Sequence, residues 1–384
     1  MSERGPLRHL EQELAHLEAR GLLRSPTAAA RPGPALLNLC SNDYLGYAGE
    51  PWSSAQPWGA AGERGNAGER GGAGASRLVS GNDPAHEDAE AALAAWVGTE
   101  SALLFSSGYA ANLGTIAALA GPGDVLFSDA YNHASIIDGC RLSGAKIRVI
   151  PHLDHDALAR ALGEERAARR RWVVTESYFS MDGDSPDLRR LRALADEHDA
   201  ALLVDEAHAL GVFGPSGRGL AAEAGVQPDV TIGTGGKALG LQGAFVLGSA
   251  TLRTWLWNRA RSFVFSTGLS PLLGRALAAR VARASADESG RARLRENEIF
   301  LRKGLAELGL EGVEKGRGPV IPWVLGEPAA ALDLSRRLRE HGVLVQAIRP
   351  PTVPPGTARL RITVHAGLGP GDLHRALTAF RASL

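Results

Sequence analysis

Ala201-Leu202-Leu203-Val204-Asp205-Glu206-Ala207-His208 is an apolar run that stops on an acid, and one further apolar run, 230–232, separates it from the turn Gly233-Thr234-Gly235-Gly236-Lys237. An uninterrupted apolar run this short predicts a strand covered on both faces, as in a parallel sheet between two layers of helices. Ligands of such sheets gather beyond the carboxyl ends of the strands, where Asp205 and Lys237 are expected to emerge. A lysine among small residues near a strand-end aspartate is the pair that pyridoxal phosphate chemistry needs. The amine forms the Schiff base, and the carboxylate keeps the pyridine nitrogen protonated. A lone lysine in a glycine-rich turn is more often a solvated loop charge, so the rest of the chain has to support the pair.

Outward from this stretch, short β-rich runs at 102–105, 125–127, 147–150, 172–175, 201–204, 230–232 and 244–247 alternate with helical stretches. They predict an α/β fold with a large, mostly parallel, seven-stranded sheet and helices on both faces. After residue 269 an Ala/Arg/Leu/Glu-rich stretch, 271–309, leads into strand, helix, strand, strand and helix. The expected organisation is an N-terminal helical arm over 1–45, a large cofactor-binding domain over 46–270 and a smaller C-terminal α+β domain over 271–384. In the arm, Leu7, Leu10, Leu14 and Leu17 recur at helical spacing and predict an amphipathic helix over 6–22 that packs on something else. Residues 49–74 are rich in Gly, Ala, Pro and Ser and carry Gly-Glu-Arg-Gly twice without a sustained Gly-X-Y period, which predicts a surface loop and excludes collagen.

The composition narrows the function. With 42 Lys plus Arg against 42 Asp plus Glu, no overall basic field exists to gather nucleic acid or an anionic membrane, and a small-molecule partner fits better. Cys40 and Cys140 form neither a disulfide framework nor a metal-ligand spacing, which suggests a reducing, cytoplasmic compartment. The chain opens polar and charged and has no run of about eighteen apolar residues, so neither secretion nor membrane spanning is expected.

Beyond the lysine and its ring-nitrogen partner, a pyridoxal phosphate site needs a ring stacker, a phosphate cup and a receiver for the amino acid. Ser106-Ser107-Gly108-Tyr109-Ala110-Ala111-Asn112 follows a strand and opens a helix, so its amides can hold a phosphate; an ordinary strand-to-helix turn looks the same. His133, in Asn132-His133-Ala134-Ser135, starts another helix and can lie over the ring, although helix-start histidines are commonly caps. His208 and Ser180 can reach the ring's phenolic oxygen; a structural histidine and a polar turn are the plain alternatives. Competing motifs fail on spacing. A P-loop needs glycine six residues before Lys237, where Thr231 stands, and Ser or Thr after it, where Ala238 stands. Gly72-Ala73-Gly74-Ala75-Ser76-Arg77 ends in arginine where a dinucleotide fingerprint needs glycine or alanine. His152-Leu153-Asp154-His155-Asp156 has metal-like residue types but no second ligand cluster, and reads as a solvated helix start with no metal.

At this point the chain resembles the α-oxoamine synthases, pyridoxal-phosphate enzymes of the aspartate-aminotransferase-like fold, known as fold type I. The resemblance covers nearly the whole chain. It rests on Ser41-Asn42-Asp43-Tyr44-Leu45-Gly46, Ser76-Arg77-Leu78-Val79-Ser80-Gly81, Thr175-Glu176 with residues 180–184, residues 204–208 and residues 234–240. It implies Lys237 as the Schiff-base lysine, Asp205 on the ring nitrogen and His133 stacked on the ring. Gly108, Tyr109 and Thr234 are implied as phosphate ligands, and His208 and Ser180 as contacts of the phenolic oxygen. It further implies a homodimer in which Thr267 reaches the other chain's phosphate, Asn42 and Arg361 receive the amino-acid carboxylate, and Arg24 and Thr352 lie near the acyl substrate. Residues 347–354 and 356–361 look most like the member that condenses L-alanine with a pimeloyl thioester, pimeloyl-CoA or pimeloyl-acyl carrier protein. A member using glycine or serine, and a catalytically silent homologue, stay open. The chain departs from the family's pattern at 49–74 and at Asn82-Asp83-Pro84, before His86.

Overall fold

The computed structural model describes residue 7 and residues 9–24, 36–50 and 71–384. The heart of the glycine-rich segment, residues 51–70, lies outside the described residues. The chain divides into two compact units, one of Asn42–Ser180 with Asp184–Arg293, the other of Met1–Ser41 with Met181–Gly183 and Leu294–Leu384. The strands in chain order are β1 (Leu37–Asn38), β2 (Ser101–Phe105), β3 (Val125–Asp129), β4 (Lys146–Ile150), β5 (Arg171–Glu176), β6 (Ala200–Asp205), β7 (Val230–Thr234), β8 (Ala244–Gly248), β9 (Val320–Gly326), β10 (Val343–Leu344), β11 (Gln346–Ile348) and β12 (Ala358–Thr363).

The larger unit is built on a seven-stranded sheet in the order β2-β8-β7-β6-β5-β3-β4. Each of the seven β-rich runs is one of its strands. β8 runs antiparallel to both β2 and β7, and the other pairings are parallel. Its central strands are buried almost end to end, as a sheet with both faces covered requires. Helices Gly108–Leu119 and Ala134–Ser143 bring Ala111, Ile116, Ile136 and Cys140 into one core with Leu103, Phe105, Leu126, Val174, Leu203 and Ile232. Burying each large aliphatic side chain there contributes about 1.5–3 kcal/mol. Local chemistry sets the helix ends. Ser107 accepts the Ala110 N–H at 3.2 Å and starts the first helix; Gly144, with φ 72°, closes the second.

The stretch 271–309 forms two helices, Pro271–Ala286 and Glu288–Glu307. Asp287 breaks it by accepting the Gly290 N–H at 2.8 Å and the Ser289 hydroxyl at 3.0 Å, so its carboxylate serves a new helix start in place of continuation. In the smaller unit an antiparallel sheet, β11-β12-β9, is accompanied by the parallel pair β1 and β10 and by helices Pro328–Glu340 and Pro370–Ser383. The leucine-bearing helix spans His9–Ala19 and buries no residue; Leu7, Leu10, Leu14 and Leu17 are all exposed. Among the described residues no helix is long and apolar enough to cross a membrane. Both cysteines are free thiols.

Candidate active site

The carboxyl ends of β3, β5, β6 and β7 bring the polar residues of the larger unit together. β5 and β6 pair in register so that Glu176 lies directly beside Asp205. Lys237 follows β7 by a turn whose small residues have a steric cause. A Cβ on Gly233 would stand 2.3 Å from the Phe245 ring, and Gly240, at φ 63°, is left-handed with a would-be Cβ 2.6 Å from Ala48 N. The turn is therefore closed to side chains at Gly233 and Gly240.

Asp205 is buried, and both of its oxygens are engaged. Oδ1 accepts the Ala207 N–H at 2.8 Å, and Oδ2 accepts the Asn112 side-chain amide at 2.7 Å. His133 caps helix Ala134–Ser143, its backbone N–H donates to Glu176 Oε1 at 2.7 Å, and its Nδ1 lies 2.8 Å from Ser135 Oγ. Burial holds the imidazole below the ordinary histidine range; Asp205 pulls it up and Lys237 pushes it down, so the ring is neutral near pH 7. Glu176 is pushed up to about 8, first by burial and then by Asp205, while Lys237 and the N–H groups of His133 and Ser180 oppose the shift. Two adjacent acids and a lysine share one low-dielectric corner, and such clusters gather at sites of chemistry.

His208 is buried with Nδ1 2.6 Å from the Tyr44 hydroxyl, which also donates to Asn42 Oδ1 at 3.2 Å. Ser180 is buried after β5. Gly108 opens its helix where a Cβ would stand 4.0 Å from Thr234 Cβ, so a helix N-terminus and a threonine meet, as an anion cup requires. The Thr234 hydroxyl donates to Gly243 O at 3.0 Å and accepts the Gly236 N–H at 3.1 Å. Tyr109 donates its hydroxyl to Asp138. Thr267 is exposed, as is Phe265 two residues before it.

In the smaller unit Arg24 Nη2 donates to Thr352 Oγ1 at 2.8 Å, joining residues 328 positions apart that the sequence reading had assigned to one substrate. Arg361 is buried, with Nη1 donating to Thr363 Oγ1 at 3.1 Å. Sequence reasoning missed Tyr44, Asn112, Ser135 and Glu176 as working parts. Glu176 carried the clearest signal, an acid closing a buried strand next to Asp205's.

The reading of His152 as a solvated residue at a helix start is corrected. The helix begins at His155, and His152 is half-buried between two carboxylates, with Nδ1 2.8 Å from Asp129 Oδ1 and Nε2 3.1 Å from Asp184 Oδ2.

The chain matches the aminotransferase class I and II family over residues 34–380. It is 46% identical to 8-amino-7-oxononanoate synthase of Trichlorobacter lovleyi, covering 97% of each chain, and 51% identical to the Anaeromyxobacter dehalogenans (strain 2CP-C) enzyme of that name, covering 94% of this chain and 92% of the relative. Its structure superposes on serine palmitoyltransferase from S. paucimobilis, solved with a bound PLP–myriocin aldimine, with a TM-score of 0.88, 29% identity and coverage of 99% and 98%. The chain belongs to the aminotransferase class I and II family, and within it to the α-oxoamine synthases; it is a pyridoxal-phosphate-dependent acyltransferase of fold type I. Its residues fit that cofactor: a lysine amine, a buried carboxylate with both oxygens already oriented, a neutral imidazole and a glycine-opened helix beside a threonine hydroxyl.

Proposed function

We propose that the protein condenses L-alanine with a pimeloyl thioester, releasing carbon dioxide and the free thiol and forming 8-amino-7-oxononanoate, a step of biotin biosynthesis, as a cytoplasmic homodimer. The observation that carries this reading is the corner where Glu176 and Asp205 lie in register and His133 and Lys237 act on them electrostatically, in a chain about half identical to synthases of that name. Pyridoxal phosphate, when bound, supplies an electron sink for a carbanion at the amino acid's Cα. Asp205 would hold the positive ring nitrogen, and His133 would cover the ring face. Gly108, Tyr109 and Thr234 would hold the phosphate, with Thr267 of the second subunit. Ser180 and His208 would bond the phenolic oxygen.

Lys237 would hold the cofactor, and its free amine would be the base that takes the Cα proton of alanine. Burial and the repulsion of Lys237 keep His133 neutral, so the imidazole is placed to donate a hydrogen bond to the acyl carbonyl oxygen as negative charge develops there while the new carbon–carbon bond forms. The thiolate then leaves, the β-keto acid loses carbon dioxide, and the same carbon is reprotonated from Lys237. Asn42 and Arg361 receive the alanine carboxylate; Arg24 and Thr352 receive the acyl chain. Incubation with pyridoxal phosphate, pimeloyl-CoA and equal alanine, glycine and serine, read by mass spectrometry, gives 8-amino-7-oxononanoate as the dominant product. A glycine- or serine-derived ketone moves the chain to a sister reaction. No product from pimeloyl-CoA, but product from pimeloyl-acyl carrier protein, changes only the thiol. No product from either overturns the reading.

A further inference from the structure

We propose that Asn112 and Ser135 are positioning residues that tie His133 to Asp205 through one buried hydrogen-bonded bridge, so that the imidazole is held in a single tautomer and ring plane set by the Asp205 carboxylate. The proposal rests on the roles given to His133 and Asp205 above, but not on which amino acid or thioester reacts.

The bridge runs from Asp205 Oδ2 to Asn112 Nδ2 at 2.7 Å, from the same nitrogen to Ser135 Oγ at 3.1 Å, and from Ser135 Oγ to His133 Nδ1 at 2.8 Å. Asn112 is 2% exposed and Ser135 0%, so no water competes for the bonds that join Asp205, Asn112 and Ser135. Donor and acceptor roles follow from chemistry alone. The Asn112 amide has two N–H groups, and both are used; turning it over would set its oxygen against a carboxylate. Its Oδ1 is buried without a partner, which costs on the order of 1–3 kcal/mol and fits a side chain retained for its two donors. Ser135 Oγ, having accepted from Asn112, has one proton left, and His133 Nδ1 is the acceptor in reach. The Ser135 backbone N–H also donates to Nδ1, at 3.2 Å. With two donors on Nδ1, the neutral ring carries its proton on Nε2, leaving that nitrogen as the one able to give a proton.

The rest of the frame is held separately. Glu176 anchors the His133 backbone N–H, and Ala207 N–H takes the other Asp205 oxygen. A shift of either group is thus transmitted to the other through two side chains rather than through the cofactor. The charged or titratable groups acting on His133 are Asp205, which raises its pKa, Lys237, which lowers it, and Glu176, bonded to its backbone. Against that fixed background, the Ser135 hydroxyl stabilises the neutral ring by donating to Nδ1, so removing it favours protonation.

The test uses the full-length protein labelled with nitrogen-15 histidine, with and without pyridoxal phosphate, and His133→Asn to assign the resonance. In the wild type, Nδ1 reads as an unprotonated acceptor and Nε2 as protonated. In Ser135→Ala the second tautomer appears and the His133 midpoint rises by about half a pH unit. Turnover falls about tenfold while KM for the amino acid stays within about twofold, and Ser135→Thr restores both readings. Asn112→Leu cuts the bridge at its other half and gives the same tautomer mixing, which covers the case of an unfolded Ser135→Ala. A folded variant of either kind that keeps the wild-type tautomer and midpoint overturns the bridge, whatever ketone the enzyme makes.

Discussion

Two strand-end histidines of the larger unit are both pushed toward the neutral form by desolvation and end in opposite protonation states. His133, after β3, is held down by burial and bonds to neutral partners through Nδ1. Burial also pulls His152, after β4, down, but direct bonds to Asp129 and Asp184 outweigh it and push the imidazole up to about 9. His152 is further gripped by Tyr131, stacked at 4.2 Å, and by Phe179, edge-on at 4.5 Å. Desolvation alone therefore does not decide a histidine's charge. The deciding factor is whether its nitrogens meet carboxylates or neutral groups, and this chain builds one histidine that is neutral near pH 7 and one that is a cation there.

The comparison breaks most sharply at the chemistry. Lys237→Ala should lower turnover by about 1,000-fold or more without lowering the unfolding free energy, checked by product formation and chemical denaturation. Asp205→Asn should cost about 100- to 1,000-fold in turnover, since it removes the charge proposed to hold a positive ring nitrogen, and leave stability nearly unchanged. A variant that unfolds instead would show that the two histidine regions do not divide their work.

The His152 clamp should behave in the opposite way. Its folded pKa is raised, so its contribution is fully present below the unfolded value of about 6.5 and lost as pH rises through about 9. His152→Gln should lose about 2 kcal/mol at pH 6 and almost nothing relative to wild type at pH 10, measured by denaturation at both values. Turnover at pH 7 should stay within about threefold. The smallest effect is expected at Glu176, whose pKa of about 8 means that the folded protein keeps its proton near neutral pH. Since a raised acid makes stability fall as pH climbs from about 4.5 to about 8, Glu176→Gln should flatten that fall and change turnover at pH 7 by no more than about threefold.

Much of this was legible before the structure. The seven strands announced themselves because a sheet covered on both faces needs consecutive apolar residues, and Asp205 stood out because an acid closing such a run must do something with its charge. The broken helix at Asp287 was not legible, since a capping aspartate competes with helix propagation only when Ser289 and Gly290 turn toward it. His152 was misjudged because both of its carboxylates come from other segments, Asp129 and Asp184.

By itself, the sequence determined the α/β architecture, the pyridoxal phosphate cofactor and the family, since each rests on residue types within short stretches of chain. Only the tertiary structure decided which polar groups act together. Asn112 and Asp205 are 93 residues apart and Arg24 and Thr352 are 328 apart. A hydrogen bond depends on distances of a few tenths of an ångström that no spacing along the chain encodes.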